Sequence, residues 1–475
     1  MTEIMIILFL VGYFLITIEH KININKAAIG LLTGSVLWII YMYAAPSLVP
    51  LVSGEAFNEY ISTSPSLMNS TFAEQIRSFV LNHQIVESIG EISETLLFLL
   101  AAMTIVEFID SHSGFYFVSD IITTKNKKRL LWIISFVTFF MSALLDNLTT
   151  TIIMIMLLRK LLNEKQDRWI FGSMVVIAAN SGGAWSPIGD VTTIMLWVKG
   201  NISMNVATAL ILPSLVSMIV PVLISQRFLK GEICKNQMEM FEDTIPAEPI
   251  FKVRERLVIL LLGVGLLVLT PVFKMITHLP PFIWLLFSVG VIWVYSELFY
   301  NTRKGMDEAK QWRIGRVLSR IDFSTIMFFL GILFGVEALR HAGILNSMSV
   351  LLATYMPNVY AQCLSIGVLS SIIDNVPLVA AAIAMYPVVD PALVSTMANP
   401  EFMQNFVSDG VFWHFLAYTA GVGGSILIVG SAAGVILMGL EKVTFGWYLK
   451  RISLIAFIGY ITGAAAYILQ QMIIF

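Results

Sequence analysis

Apolar runs of helix length, separated by short polar or charged stretches, cover most of the chain. In the first half Ile4–Ile18, Ala27–Ala45, Glu91–Ile109 and Val206–Ile224 read as membrane spans; in the second, Leu257–Phe273, Phe282–Leu298, Phe323–Leu339 and Ile452–Ile474. Two further runs, Trp169–Val198 and Val411–Leu440, are long enough to span but are interrupted. The first breaks at Asn180-Ser-Gly-Gly-Ala-Trp-Ser186-Pro-Ile-Gly-Asp190, the second at Gly421-Val-Gly-Gly-Ser425-Ile-Leu-Ile-Val-Gly-Ser431. Paired glycines, and a proline in the first, give these centres poor helix propensity. They are predicted to unwind at bilayer depth.

Two other apolar stretches form only short arms. Leu130–Met141 and Ile152–Leu158 flank Ser142-Ala-Leu-Leu-Asp146-Asn147-Leu-Thr149-Thr150-Thr151, and Gln362–Ile373 and Val376–Tyr386 flank Asp374-Asn375. Each arm is shorter than the roughly 20 residues of a spanning helix. The expectation is a pair of re-entrant helical hairpins, residues 129–160 and 362–386, with polar tips near mid-membrane. Pro46–Gly90 reads as a polar loop with amphipathic stretches, and Ser111–Thr124 as an interfacial segment.

Three blocks recur in one order. Phe98–Glu107 resembles Phe328–Glu337; Asp146-Asn147 returns as Asp374-Asn375; Gly182-Gly183-x5-Gly189-Asp190 returns as Gly423-Gly424-x5-Gly430-Ser431. The offsets are 230, 228 and 241 residues, which argues for internal duplication. Charge then sets direction. Assigning alternate loops puts 25 of the 29 Lys and Arg residues on the cytoplasmic side and leaves Arg77, Lys199, Lys274 and Arg340 outside. That gives five crossings on either side of a polar linker, so the halves run in opposite senses with both termini outside. The predicted fold is an all-α polytopic membrane protein of two inverted-topology repeats, 1–226 and 257–475, joined by a cytoplasmic linker at 227–256. Each repeat carries one hairpin and one broken span, the architecture of secondary transporters.

Composition narrows the class further. The chain is 57% hydrophobic and 13% charged, with a mean hydropathy of +0.83, a balance that fits lipid contact and not a soluble core of this size. Cys234 and Cys363 make no disulfide framework or metal spacing. There is no Gly-rich phosphate loop, so neither nucleotide nor nucleic acid is an expected partner. The N-terminus lacks a basic region and cleavage site, so Ile4–Ile18 reads as a retained helix.

The blocks SALLDNLTTTI, AANSGGAWSPIGDVTTIMLW and SSIIDNVPL, with AMTIVEFIDSHSGF, resemble NhaD-type sodium/proton antiporters. These belong to the ion transporter superfamily, with arsenite permeases and dicarboxylate and citrate carriers. The resemblance implies exchange of cytoplasmic Na⁺ or Li⁺ for external H⁺ in a bacterial inner membrane, without a cofactor. It further implies that Asp146, Asn147, Asn180, Asp190, Thr192, Asp374 and Asn375 fall on transport-critical positions. A homodimer with a scaffold and a moving transport domain is implied as well.

The residues suit that chemistry. An ionised carboxylate at mid-membrane costs about 2.5–3.5 kcal/mol on insertion scales, so it is rare without a partner or a task. Na⁺ takes hard oxygen ligands. The carboxylates of Asp146 and Asp190, the amides of Asn147 and Asn180, and the hydroxyls of Thr149, Ser186 and Thr192 could supply them. Asp374 and Asn375 would complete the site from the other repeat. Burial and a neighbouring carboxylate both favour protonation, so the site can hold H⁺ or Na⁺ but not both. Ser431 stands where the first repeat has Asp190, and Ser425 lies in the same break; both are secondary candidates. So are Glu94, Glu107 and Glu337, the last two near helix ends where ion pairing competes with proton transfer. His112 and His341 are candidate pH sensors. A Na⁺-coupled carboxylate carrier, an oxyanion permease and a channel or receptor remain as other readings. A metal-dependent enzyme is disfavoured, since no HExxH is present.

Overall fold

The computed structural model describes residues 1–17, 22, 24–114, 124, 126–229, 231, 251–277, 279–303, 311–372, 375–397 and 399–474. Asp374, Cys234 and about two thirds of the expected linker and interfacial segment lie outside them. Among the described residues the fold is helical, apart from one isolated bridge, Val389 to Val407. The helices used below are α1 (Thr2–Thr17), α2 (Lys26–Val52), α3 (Ile85–Ser111), α4 (Lys127–Leu145), α5 (Asn147–Leu161), α6 (Lys165–Ala184), α7 (Val191–Val198) and α8 (Asn205–Ser225). The second half has α9 (Val253–Thr277), α10 (Pro281–Asn301), α11 (Phe323–His341), α12 (Val359–Ser370), α13 (Asn375–Met385), α14 (Val411–Gly423), α15 (Ala432–Glu441) and α16 (Ser453–Ile474). Eight of the described helical stretches are long and apolar enough to cross a membrane; α4 is among them at 19 residues, longer than the short arm Leu130–Met141 expected from the sequence.

Three boundaries differ from expectation. α2 runs through Pro46 and Pro50 to Val52. Proline is tolerated in membrane helices where neighbours re-satisfy the freed backbone groups, and Ala44 and Ala45 are buried at this point. The residues read as a loop before Gly90 are largely helical: Gly54–Ser62, Phe72–Phe79, and a π-turn over Val80–Gln84 that leads directly into α3. The turn aims buried Gln84 at Tyr41, whose hydroxyl donates to Gln84 Oε1 at 2.9 Å. The first break also begins later, since Asn180–Ala184 are still helical. Within that helical stretch α4 crosses Gly182 so closely that a Cβ would collide with the Phe139 carbonyl.

The same crossing recurs in the second half. Gly423 lies against the Gly367 carbonyl, and Ser370 Oγ donates to Ala420 O at 2.7 Å, as Ser142 Oγ donates to Ala179 O at 2.6 Å. Helix partners repeat likewise. α4 packs on α6 and α12 on α14; α5 packs on α15 and α13 on α7; α1 packs on α2 and α9 on α10. Ion pairs gather in two sets. Lys127–Asp167, Arg168–Glu441 and Glu107–Arg320 join segments that the charge count assigns to the cytoplasm. Lys199–Glu91 and Glu337–Arg340 join segments assigned outside.

Candidate ion-binding site

α4 and α5 are joined by one residue. Asp146 has φ 83° and ψ 159°, a backbone state that costs an L-residue about 1–3 kcal/mol. Its carboxylate caps α5: Thr149 N donates to Oδ1 at 2.7 Å and the Thr149 hydroxyl to Oδ2 at 3.1 Å. A negative charge is favoured there by the N-terminal end of the helix dipole. Next to it, Asn147 is buried and donates from Nδ2 to Asn180 Oδ1 at 3.1 Å. Asn180 in turn donates from Nδ2 to Ser425 Oγ at 2.9 Å and Ser431 Oγ at 2.8 Å. Both ends of the Asn180 amide are therefore engaged.

Asp190 is the N-cap of α7 and 2% exposed. Its Oδ2 accepts from Thr192 Oγ1 at 3.0 Å and from Asn375 Nδ2 at 3.1 Å. The contacts thus cross between halves. The residue opening α13 reaches the first break, while Asn147, through Asn180, reaches the second. Asp146 and Asp190 meet as walls of a common cavity.

That cavity measures about 420 Å³, far above the roughly 10–15 Å³ that holds one water. Asp146, Asn147, Asp190 and Asn375 line it at the helix breaks, and Asn25, Lys26, Asp322, Ser324 and Thr325 at the starts of α2 and α11. Phe98, Leu99, Met103, Val106 and Phe329 form apolar walls between the two ends. A second cavity, of about 150 Å³, lies one turn further along the same helices. Its lining includes Glu91, Thr95, Lys199, Glu337, Arg340 and Ala380.

The remaining candidates lie outside the lining of the larger cavity. Ser186 is buried, and its Oγ accepts from Ile188 N at 3.4 Å within the break. Glu94 is half-buried on α3. Glu107 pairs with Arg320 at 3.0 Å and Glu337 with Arg340 at 2.6 Å. His112 is buried with both nitrogens bonded, Nδ1 to Phe108 O at 2.7 Å and Nε2 to the Tyr300 hydroxyl at 2.7 Å. Burial pushes its pKa down to about 4, which argues against switching near neutrality. His341 bonds Ser88 Oγ at 3.1 Å. Sequence reasoning missed Ser142 and Ser370, whose hydroxyls fasten the helix pairs; their matching places in the two recurring sequence blocks were the available signal. It also missed Asn25 and Asp322 at the cavity mouth, for which no local pattern exists.

Comparison with known proteins identifies the lineage. A family model described as citrate transporter matches residues 11–404. Sodium/proton antiporter 1 of Arabidopsis thaliana is 42% identical over 465 residues, covering 98% of this chain and 72% of that protein. Sodium/proton antiporter 2 of the same plant is 39% identical, covering 98% of both. The Na(+)/H(+) antiporter NhaD of Alkalimonas amylolytica is 30% identical, covering 98% of this chain and 89% of its own length.

Proposed function

This chain belongs to the NhaD type of sodium/proton antiporters within the citrate-transporter family, a family of multi-pass membrane transporters and not of enzymes, and we propose that it exchanges cytoplasmic Na⁺ or Li⁺ for external H⁺. The observation that carries this reading is the cavity with Asp146 and Asp190 in its inner wall. Its other end is lined by residues that the charge count assigns to the cytoplasm. Na⁺ enters there and competes with the proton for the carboxylates. Thr149, Thr192 and Asn375 hold the carboxylates in place and, with Asn147, offer further oxygens.

The protein works by alternating access between two inverted repeats, each with a re-entrant hairpin, α4–α5 or α12–α13, and a broken span, α6–α7 or α14–α15. The recurrence of the serine bonds, glycine crossings and helix pairings supports that reading. So does the second cavity on the external side, separated from the first by about one helical turn. The working unit is a homodimer in a bacterial inner membrane, with both termini outside. A carrier of organic or oxy-anions is disfavoured by the chemistry. Among the described residues, Lys26 at the mouth is the basic residue in the cavity wall, and carboxylates sit at its inner end.

The test is a preformed pH gradient in everted vesicles containing the protein. Na⁺ or Li⁺ should dissipate it and K⁺, citrate or arsenite should not. Equal responses to all three cations, or no response to any, would end the assignment.

A further inference from the structure

The smaller cavity is ringed by charge. Its lining holds two carboxylates, Glu91 on α3 and Glu337 on α11, and two cations, Arg340 on α11 and Lys199 at the end of α7. The Lys199 ammonium donates to Glu91 Oε2, and Arg340 donates from Nε to Glu337 Oε2 at 2.6 Å. One arm of that guanidinium is left over: Nη2 is buried and has no hydrogen-bond partner among the described residues. A buried donor on a charged group is costly to leave unsatisfied, and a guanidinium is shaped to hold carboxylate oxygens on its fork of nitrogens. Glu91 lines the same small cavity as Arg340, and Lys199 holds it.

The helix that ends at Lys199 begins at the ion site. α7 runs from Asp190, its N-cap, to Lys199, its C-cap, and its eight residues make a rigid rod about 12 Å long. A displacement of Asp190 is therefore delivered to the Lys199 ammonium. Glu91, Lys199, Glu337 and Arg340 are absent from the lining of the larger cavity, whose mouth the charge count assigns to the cytoplasm; all four come from segments that it assigns outside. The Lys199–Glu91 pair thus fastens the site-bearing helix to α3 on the side away from that mouth. We propose that Glu91 is the switching element of an external gate: it pairs with Lys199 while the site faces the cytoplasm and passes to Arg340 Nη2 when the site faces outside. The exchange keeps the Glu91 carboxylate paired in both states and leaves them close in free energy, as a carrier that must populate both requires. This deepens the antiport reading and rests on its alternating access.

The experiment is labelling of the full-length protein, carrying Cys234→Ala and Cys363→Ala, by a membrane-impermeant thiol reagent in right-side-out and everted vesicles. Ala380→Cys in the smaller cavity reports exposure to the outside, and Met103→Cys in the larger cavity reports exposure to the cytoplasm. Lys199→Gln removes the first partner of Glu91. Ala380→Cys should then label faster from outside and Met103→Cys slower from the cytoplasm, by about two- to fivefold, the range that a partly exposed ion pair supports. Arg340→Lys keeps a charge for Glu337 but lacks the second nitrogen, so it should shift both rates the opposite way. Glu91→Gln withdraws the carboxylate from both partners, and in that background neither change should matter. Should Arg340→Lys fail to fold, as judged by gel filtration, Lys199→Gln with and without Glu91→Gln decides alone. Shifts in one direction for both variants, no shift, or shifts that persist with Glu91→Gln would overturn the gate and leave antiport standing. Na⁺-driven loss of a pH gradient, measured on wild type in the same everted vesicles, tests the antiport reading separately; its absence would count against that reading whatever the labelling shows.

Discussion

Asp146 occupies a backbone state that glycine takes more readily, at φ 83°, and this separates its structural and functional roles. Replacing Asp146 by Gly should release about 1–3 kcal/mol of strain, while giving up a helix cap costs only a few tenths of a kcal/mol when glycine is the replacement. Thermal unfolding of the purified Asp146→Gly protein should therefore occur at an equal or higher temperature than wild type, with antiport lost in vesicles. A marked drop in melting temperature would mean that the carboxylate serves mainly to hold the tip together. Sequence pattern could single out Asp146, as a charge between two short apolar arms. It could not show the left-handed turn, because nothing local distinguishes an aspartate at φ 83° from one in a helix. Asn180 is a similar case. It reads as an oxygen ligand in the sequence; its nitrogen donates to Ser425 and Ser431, 245 and 251 residues away, and its oxygen accepts from Asn147, partners that no local pattern reveals.

Between helices, the two breaks are held against their neighbours by contacts that only glycine allows. At Gly182 and Gly423 an added Cβ would run into the backbone carbonyls of Phe139 and Gly367, and backbone cannot rotate aside as a side chain can. Gly182→Ala and Gly423→Ala should each destabilise the protein by about 1–3 kcal/mol or more, seen as lower melting temperature and yield in detergent. Gly290→Ala on α10, where a Cβ meets nothing within 4 Å, should cost nothing. Equal tolerance at all three positions would contradict the close crossings. The glycine pairs were visible in the sequence, but as helix breakers. The structure keeps Gly182 and Gly423 helical and places the unwinding after Ala184 and Gly423. In the first break the stop belongs to Pro187, since the residue before a proline is pushed out of helical geometry. The second break has no proline, and its unwound segment of aliphatic residues was marked only by its match to the first.

For the molecule as a whole, the topology rests on the charge count and the hairpin reading. Cysteines introduced at Lys128 and Asn163, which bracket α4 and α5, should label from the cytoplasm only. Cysteines at Asn358 and Asp390, which bracket α12 and α13, should label from outside only. If Lys128 and Asn163 labelled from opposite faces, α4–α5 would be a full crossing and the inverted repeat would fall. The order of the helices was legible in the hydrophobic pattern, and the two-sided sorting of the ion pairs in the distribution of Lys and Arg. The cavity was not legible, because its walls come from α2, α3, α9 and α11 as well as from the motifs, and no pattern within one segment encodes that convergence.

The central claim is that H⁺ and Na⁺ compete for the same carboxylates. Its most direct test is the apparent Na⁺ affinity of transport measured in vesicles over a range of pH. Competition at one shared site requires that affinity to weaken by up to about tenfold for each pH unit below the titration of the site, with little change in maximal rate, because protonated sites are removed by mass action. An apparent Na⁺ affinity that stays constant while the maximal rate alone varies with pH would place proton and cation on separate sites and contradict the account.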